Sequence, residues 1–183
     1  MKIKGIFLLV LLCFGCSKNE ARRPVNPRPS STLLSETVAT SKVLNAQEVA
    51  QIQTYINKDT AQNYRVSKNG FWYVYHNKIQ ENSPLPSFGD EVLFEYNITD
   101  LQGSVLYSKE TLGVKKYIID QEDFISGLQK GIKLMKVGEI ITFVSPSYHA
   151  CGIAGDGNKV EVKKTIKSTA RLLNIKKNKE KKN

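Results

Sequence analysis

The longest uninterrupted apolar run is "IFLLVLLCF" at positions 6–14, after which apolar residues thin out through "SKNEARRPVNPRPSS". They return with helical spacing at Val49, Ile52 and Ile56, with Asn45 placed as an N-cap and Glu48 three residues later, as in a capping box. The spacing predicts a helix over about 45–57, inside a helical N-terminal segment spanning 33–70. After Asn69-Gly70 the period shortens to two. "FWYVYH" reads as a strand, and "EVLFEYNITD" alternates Val92, Phe94, Tyr96 and Ile98 on one face. "SVLYS", "KKYIID", "VGEIITFVSP" and "TIKSTARLLNI" read as further strands. "DFISGLQKGIKLM" breaks the series as a helix carrying Phe124, Ile125, Leu128, Ile132 and Met135, with Asp123 near its start. Gly127 and Gly131 lower its propensity, and a short buried helix in close approach to a neighbour accommodates both. The pattern predicts an α+β fold: an antiparallel sheet of five to six strands wrapped around one short helix, with an N-terminal helix ahead of it.

The opening apolar run is too short to span a bilayer, which takes ~20 residues. Preceded by Lys2 and Lys4 and followed by Gly15, it has the layout of a secretory signal over residues 1–15. "LCFGC" resembles a bacterial lipobox, with Cys16 as the acylated residue and mature N-terminus. Cys13 and Phe14 depart from the usual leucine and small residue. The Pro-, Arg- and Ser-rich stretch to residue 32 then reads as a flexible tether from a lipid anchor. Ser17 rather than aspartate after the cysteine favours the outer membrane, facing the periplasm. Cleavage leaves Cys16 and Cys151, so the folded part holds one thiol and no internal disulfide.

The formal net charge is +10. Two of these charges belong to the signal, and the stretch "NIKKNKEKKN" adds five Lys against one Glu. This basic tail, 176–183 after the last strand, has no interleaved aromatic residue and reads as a solvated run rather than a nucleic-acid surface.

His149 and Cys151, two positions apart in "SPSYHACGIAGDG", form the one obvious pair of reactive side chains. A Cys/His pair serves as nucleophile and base, or as half a zinc site, or stands in an ordinary loop. No acidic third partner or second thiol accompanies it. "GIAGDG" lacks the order and the Lys-Ser/Thr of a P-loop and reads as a turn. Asp120, Glu122 and Asp123 sit at a strand–helix boundary, where capping accounts for them. No metal or cofactor is expected.

One longer order of residues points further. "FGDEV", Tyr96, "DLQG", "ISGLQKGIKLMKVGE", "SP" and Cys151-Gly152 resemble the FKBP-type peptidyl-prolyl isomerase domain over residues 88–175, with 71–175 as the FKBP-like domain. Ile125, Gly127, Leu128, Gly131, Met135, Gly138 and Glu139 fall at the family spacing. The lipoprotein start and "NGFWYVY" look more narrowly like lipid-anchored isomerases associated with gliding motility. The resemblance implies an apolar proline cleft formed by Tyr96, Phe124, Ile125 and Leu128, with the backbone N–H of Ile125 holding a substrate carbonyl. It places the family's Phe-Asp wall pair on Leu106 and Tyr107, so that the carboxylate is missing there. It places the upper aromatic wall near Lys115 to Tyr117, with Tyr117 as the lining residue, the loop tyrosine on Cys151 and the closing-strand phenylalanine on Ser168. His149 becomes an exposed loop residue. The implied partners are proline-containing chains of the cell envelope, and the runner-up is a catalytically weak binding module on the same fold.

Overall fold

The computed structural model describes residues 30–80 and 82–178. The signal, Cys16, most of the tether and the end of the basic tail lie outside the described residues. The chain forms two units, residues 1–39 and 40–183. The described part of the first is the beginning of helix α1, Ser30–Lys58.

Helix α1 starts well before the expected residue 45. No proline or glycine occurs between Ser30 and Lys58, so nothing ends the helix early, although Leu34, Val38 and Val43 on its first half are exposed. Asn45 therefore lies inside the helix and caps nothing. Glu48 is not the second half of a capping box; it is buried and bonds elsewhere. It belongs to a stripe of buried or half-buried positions at 41, 44, 48, 52, 55 and 59.

The sheet contains β1 (Arg65–Val66), β2 (Trp72–Asn77), β3 (Glu91–Tyr96), β4 (Ile98–Thr99), β5 (Val105–Tyr107), β6 (Lys115–Ile118), β7 (Ile140–Ser145) and β8 (Ile166–Lys176). Their order is β1-β2-β7-β8-β3-β6, with β4 pairing β5 and β8, and every pairing is antiparallel. The two-residue strands β1 and β4 raise the number above five or six without changing the architecture. One face holds the main core, which includes Phe71, Phe94, Tyr96, Leu128, Phe143 and Leu172. On the other, Ile52 of α1 packs with Trp72 and Val144. Cover on both faces explains why β7 is apolar without alternation: Ile141 and Phe143 enter the main core while Val144 meets α1. In β3 the alternation expected of Val92, Phe94 and Tyr96 is realised, and Ile98 continues it in β4. Asn97 between them is held by Thr169, which donates its N–H to Oδ1 at 2.9 Å.

Helix α3, Ser126–Ile132, is shorter than the expected 123–135 and has Ile125 as its N-cap residue. (Helix α2 is the single turn Lys109–Leu112, opened by Ser108.) Asp123 does not begin α3, because the preceding residues are folded into a turn. Glu122 accepts the Ile118 N–H at 3.2 Å, and the Gln129 amide donates to the Glu122 carbonyl at 2.9 Å. At the far end Leu134 and Met135 close tighter turns onto Gly131 and Ile132. Two glycines let α3 lie against the sheet. A Cβ on Gly131 would stand 2.6 Å from the Phe143 ring, and one on Gly127 would collide with Ser145 Oγ.

Two buried carboxylates fasten the edges. Glu139 accepts the N–H of Ile79 at 3.0 Å and of Lys136 at 2.8 Å. Asp90 accepts from Ser87, from the Asn178 N–H at 3.0 Å and from the Lys177 ammonium at 2.8 Å. Strand β8 thus runs to Lys176 and is pinned just beyond it. No helix among the described residues is long and apolar enough to cross a membrane.

Candidate active site

The entrance to α3 is built from aromatic residues of two strands, β3 and β6, around Phe124. Phe124, two residues before the helix, meets Phe94 at 5.8 Å, Tyr96 edge-on at 5.5 Å and Tyr117 at 5.9 Å between ring centroids. Edge-to-face and tilted contacts at this range add about 0.5–1.5 kcal/mol each beyond the area buried. Leu128 follows one turn later and is fully buried, whereas Phe124 and Ile125 remain half-exposed. Phe124 and Ile125 are therefore the half-exposed edge of an apolar cluster in which Tyr96 and Leu128 lie buried. The Ile125 N–H has no partner among the described residues, so the first donor of α3 is available to a ligand carbonyl.

The loop after β7 supplies a second wall. A single 3-10 turn, Ser147–His149, leads to Cys151, which is half-buried against the main core. Burial pushes the Tyr96 phenol up, and the nearby Cys151, packed against the same core, adds to the effect. Burial, with Asp156 nearby, also raises the Cys151 thiol above its ordinary value of 9.0, so it stays protonated at neutral pH. That is the reverse of an activated nucleophile. His149 does not activate it. Its Nδ1 lies 3.0 Å from Ser126 Oγ at the start of α3, and burial with nearby Lys130 pushes its pKa down. The ring is half-buried and structural, a correction to the exposed loop residue expected from the sequence.

Three further positions change meaning. Tyr117 is only 1% exposed, so it stands behind Phe124 rather than at the surface of the cleft. Lys115 takes the outer place, its ammonium 5.5 Å from the centroid of the Phe124 ring. Leu106 and Tyr107 are half-buried at the edge of the main core, and the Tyr107 hydroxyl donates to Asp156 Oδ2 at 2.5 Å. Position 107, which carries no carboxylate of its own, is thus bonded to one from the Gly-rich loop. Burial works to raise the Asp156 pKa, but the Tyr107 hydroxyl and the backbone N–H groups of Asn158, Lys159 and Val160 outweigh it and hold the pKa down. Ser168 faces the core and is buried; its hydroxyl donates to the Asn97 carbonyl at 2.6 Å. Among the described residues no group of three or more His, Cys, Asp and Glu side chains is placed to hold a metal ion.

Glu48, Ser126 and Asp156 were not singled out by the sequence reading of the site. For Glu48 a signal existed: a carboxylate at a position where helical spacing demands an apolar residue. Ser126 and Asp156 act through contacts of 23 and 49 residues' separation, for which a single sequence carries no sign.

Residues 83–173 match the model of the FKBP-type peptidyl-prolyl cis-trans isomerase family. No curated protein matches the sequence. The crystal structure of FkpA from Escherichia coli is similar, with a TM-score of 0.60 at 19% identity, covering 96% of this chain and 83% of that one. A peptidyl-prolyl cis-trans isomerase from Pseudomonas syringae pv. tomato gives a TM-score of 0.58 at 17% identity, covering 75% of this chain and 96% of that one. At such identities the two structures speak for the fold, and the family match, over the strands and helix that build the cleft, supplies the rest: residues 83–173 are an FKBP-type peptidyl-prolyl cis-trans isomerase domain.

Proposed function

We propose that the protein is a lipid-anchored peptidyl-prolyl isomerase that assists the folding of envelope proteins, with activity weakened by the loss of a pocket hydroxyl. The observation that carries this reading is the apolar cluster of Tyr96, Phe124, Ile125 and Leu128, with a helix-entry N–H at its half-exposed edge that has no partner among the described residues. Rotation about the bond preceding proline crosses a barrier of ~18–20 kcal/mol and takes tens to hundreds of seconds unaided. Planarity keeps charge separated across the imide. A dry apolar wall therefore favours the twisted transition state over the planar ground state, and a donor on the flanking carbonyl fixes orientation. No nucleophile, proton transfer or metal is required, which accords with a protonated Cys151 and a His149 committed to Ser126.

Anchoring rests on the lipobox-like "LCFGC" and the tether behind it, and Ser17 supports an outer-membrane address. Membership of the gliding-motility-associated kind of lipoprotein rests on that start, on the helix ahead of the domain and on "NGFWYVY". A binding module with little turnover is the second reading, favoured by Cys151 in the tyrosine place and by the small, buried Ser168. The experiment joins both halves. The soluble form is expected to accelerate cis-to-trans exchange of an Xaa-Pro peptide, and Cys16→Ser is expected to release the full chain from membranes with loss of acyl labelling. Absence of exchange, with binding of unfolded clients retained, would favour the second reading; membrane retention with unchanged lipid incorporation would refute the anchor.

A further inference from the structure

The buried carboxylate of Glu48 has a function that helix docking does not require. Oε2 accepts the Ser147 N–H and Oε1 accepts the Ser147 hydroxyl, both at 2.6 Å, and both residues are buried. Ser147 is the first residue of the 3-10 turn that leads to the cleft wall. Its own carbonyl accepts two N–H groups, Ala150 at 2.9 Å and Gly152 at 2.8 Å, one on each side of Cys151. A continuous series of hydrogen bonds therefore runs from α1 through Ser147 to the backbone that carries the wall residue. On the opposite side, Ser126 holds His149 to the start of α3.

Alternatives for Glu48 are weaker. Helix α1 already has an apolar contact with the sheet through Ile52, Trp72 and Val144. Burying a carboxylate costs several kcal/mol unless its partners compensate, so docking alone is better served by a leucine at this position. What the carboxylate adds is direction: two short charge-assisted bonds aimed at one residue of one loop. The acidic turn Asp120–Asp123 and the exposed apolar residues of α1 carry no comparable chain of contacts.

We propose that Glu48 is a positioning residue, through which the N-terminal helix sets the Cys151 wall of the proline cleft. The proposal rests on the isomerase reading for its effect on turnover, though not for its effect on the loop. Without Glu48 the turn keeps its internal bonds but loses its tie to α1, and a displacement of about 1 Å in a substrate-positioning wall costs up to ~100-fold in rate.

Two readouts on the full chain separate positioning from docking. One is the split of kcat and KM on a prolyl peptide; the other is the rate of iodoacetamide alkylation at Cys151, followed by mass spectrometry of its peptide. At a temperature where all variants are folded, Glu48→Ala is expected to raise KM about tenfold and to speed Cys151 alkylation several-fold. Glu48→Gln, which keeps one acceptor, should fall between it and wild type. Ile52→Ala should lower the melting temperature while leaving KM and the alkylation rate unchanged. Should Glu48→Ala not fold, Glu48→Gln and Ser147→Ala decide by the alkylation rate. Wild-type KM and alkylation in the Glu48 variants, or an equal change in Ile52→Ala, would overturn the proposal. A wild type without turnover would refute the isomerase reading alone, since alkylation still reports on the loop.

Discussion

Cys151 is the side chain on which the proposed activity bears most directly. Its thiol is protonated, half-buried and beside Tyr96, so it contributes shape and almost no polarity. Restoring a hydroxyl there should add one hydrogen bond realised mainly in the transition state, about 1–3 kcal/mol or roughly five- to a hundredfold in rate. Cys151→Tyr is accordingly expected to raise kcat/KM for a prolyl peptide, measured by protease-coupled exchange. A variant that binds peptide normally but turns over no faster would show that the missing hydroxyl is not what limits the reaction. At this scale the sequence was informative wherever a residue acts through its neighbours in the chain: Phe124, Ile125 and Leu128 share one helix entrance. It was misleading for Tyr117 and Lys115, two positions apart on one strand. Both lie on the face of β6 that meets Phe124, Lys115 over its ring and Tyr117 buried behind it, and that difference in depth is set by Phe124, outside the local pattern.

Between elements, contact distance matters more than propensity. Helix α3 contains two glycines in seven residues, each costing about 1 kcal/mol against alanine in an open helix. On this sheet the balance reverses. A methyl at position 131 would meet the Phe143 ring at 2.6 Å, and overpacking of that kind costs ~1–3 kcal/mol. Gly131→Ala should therefore destabilise the domain by about 1–2 kcal/mol in urea titration; a stabilised variant would mean that the helix can lift without harm. The sequence foretold the close approach but not the ends of α3, because the capping turn around Glu122 and Gln129 is made by side chains whose partners fold around them. The length of α1 was missed for the opposite reason. Its first half has no apolar face to announce it, only the absence of anything that stops a helix.

Taken as a whole, the domain is closed by an ion pair that links its last strand to its third. Burial works to raise the Asp90 pKa, but the Lys177 ammonium, the Asn178 N–H and Ser87 outweigh it and hold the carboxyl well below the ordinary aspartate value of 3.8. The native state therefore binds fewer protons at this site than the unfolded chain does. Its contribution is complete above about pH 4 and declines as pH falls below that value toward the native pKa. Asp90→Asn should lose roughly 3 kcal/mol at neutral pH and show a shallower decline of stability below pH 4 than wild type. Parallel acid titrations of the two proteins would place the acid sensitivity in other carboxylates. The chain's overall α+β plan was legible in the sequence because alternation along β3 and the break to helical spacing at α3 are both local. The second cover on the sheet was not, since Ile52, Trp72 and Val144 meet across 92 residues of chain, counting 144 − 52.

The claim on which everything else depends is that the reacting proline sits over Leu128. The most direct measurement is kcat/KM for an Xaa-Pro peptide in wild type and Leu128→Lys, with the fold of each verified by circular dichroism. A charge at the floor would have to be desolvated with the imide, or would draw water into the cleft, at a cost of several kcal/mol. The expected result is catalysed exchange in wild type and exchange at the uncatalysed rate in a folded Leu128→Lys. A folded Leu128→Lys with the wild-type rate would place the active site elsewhere.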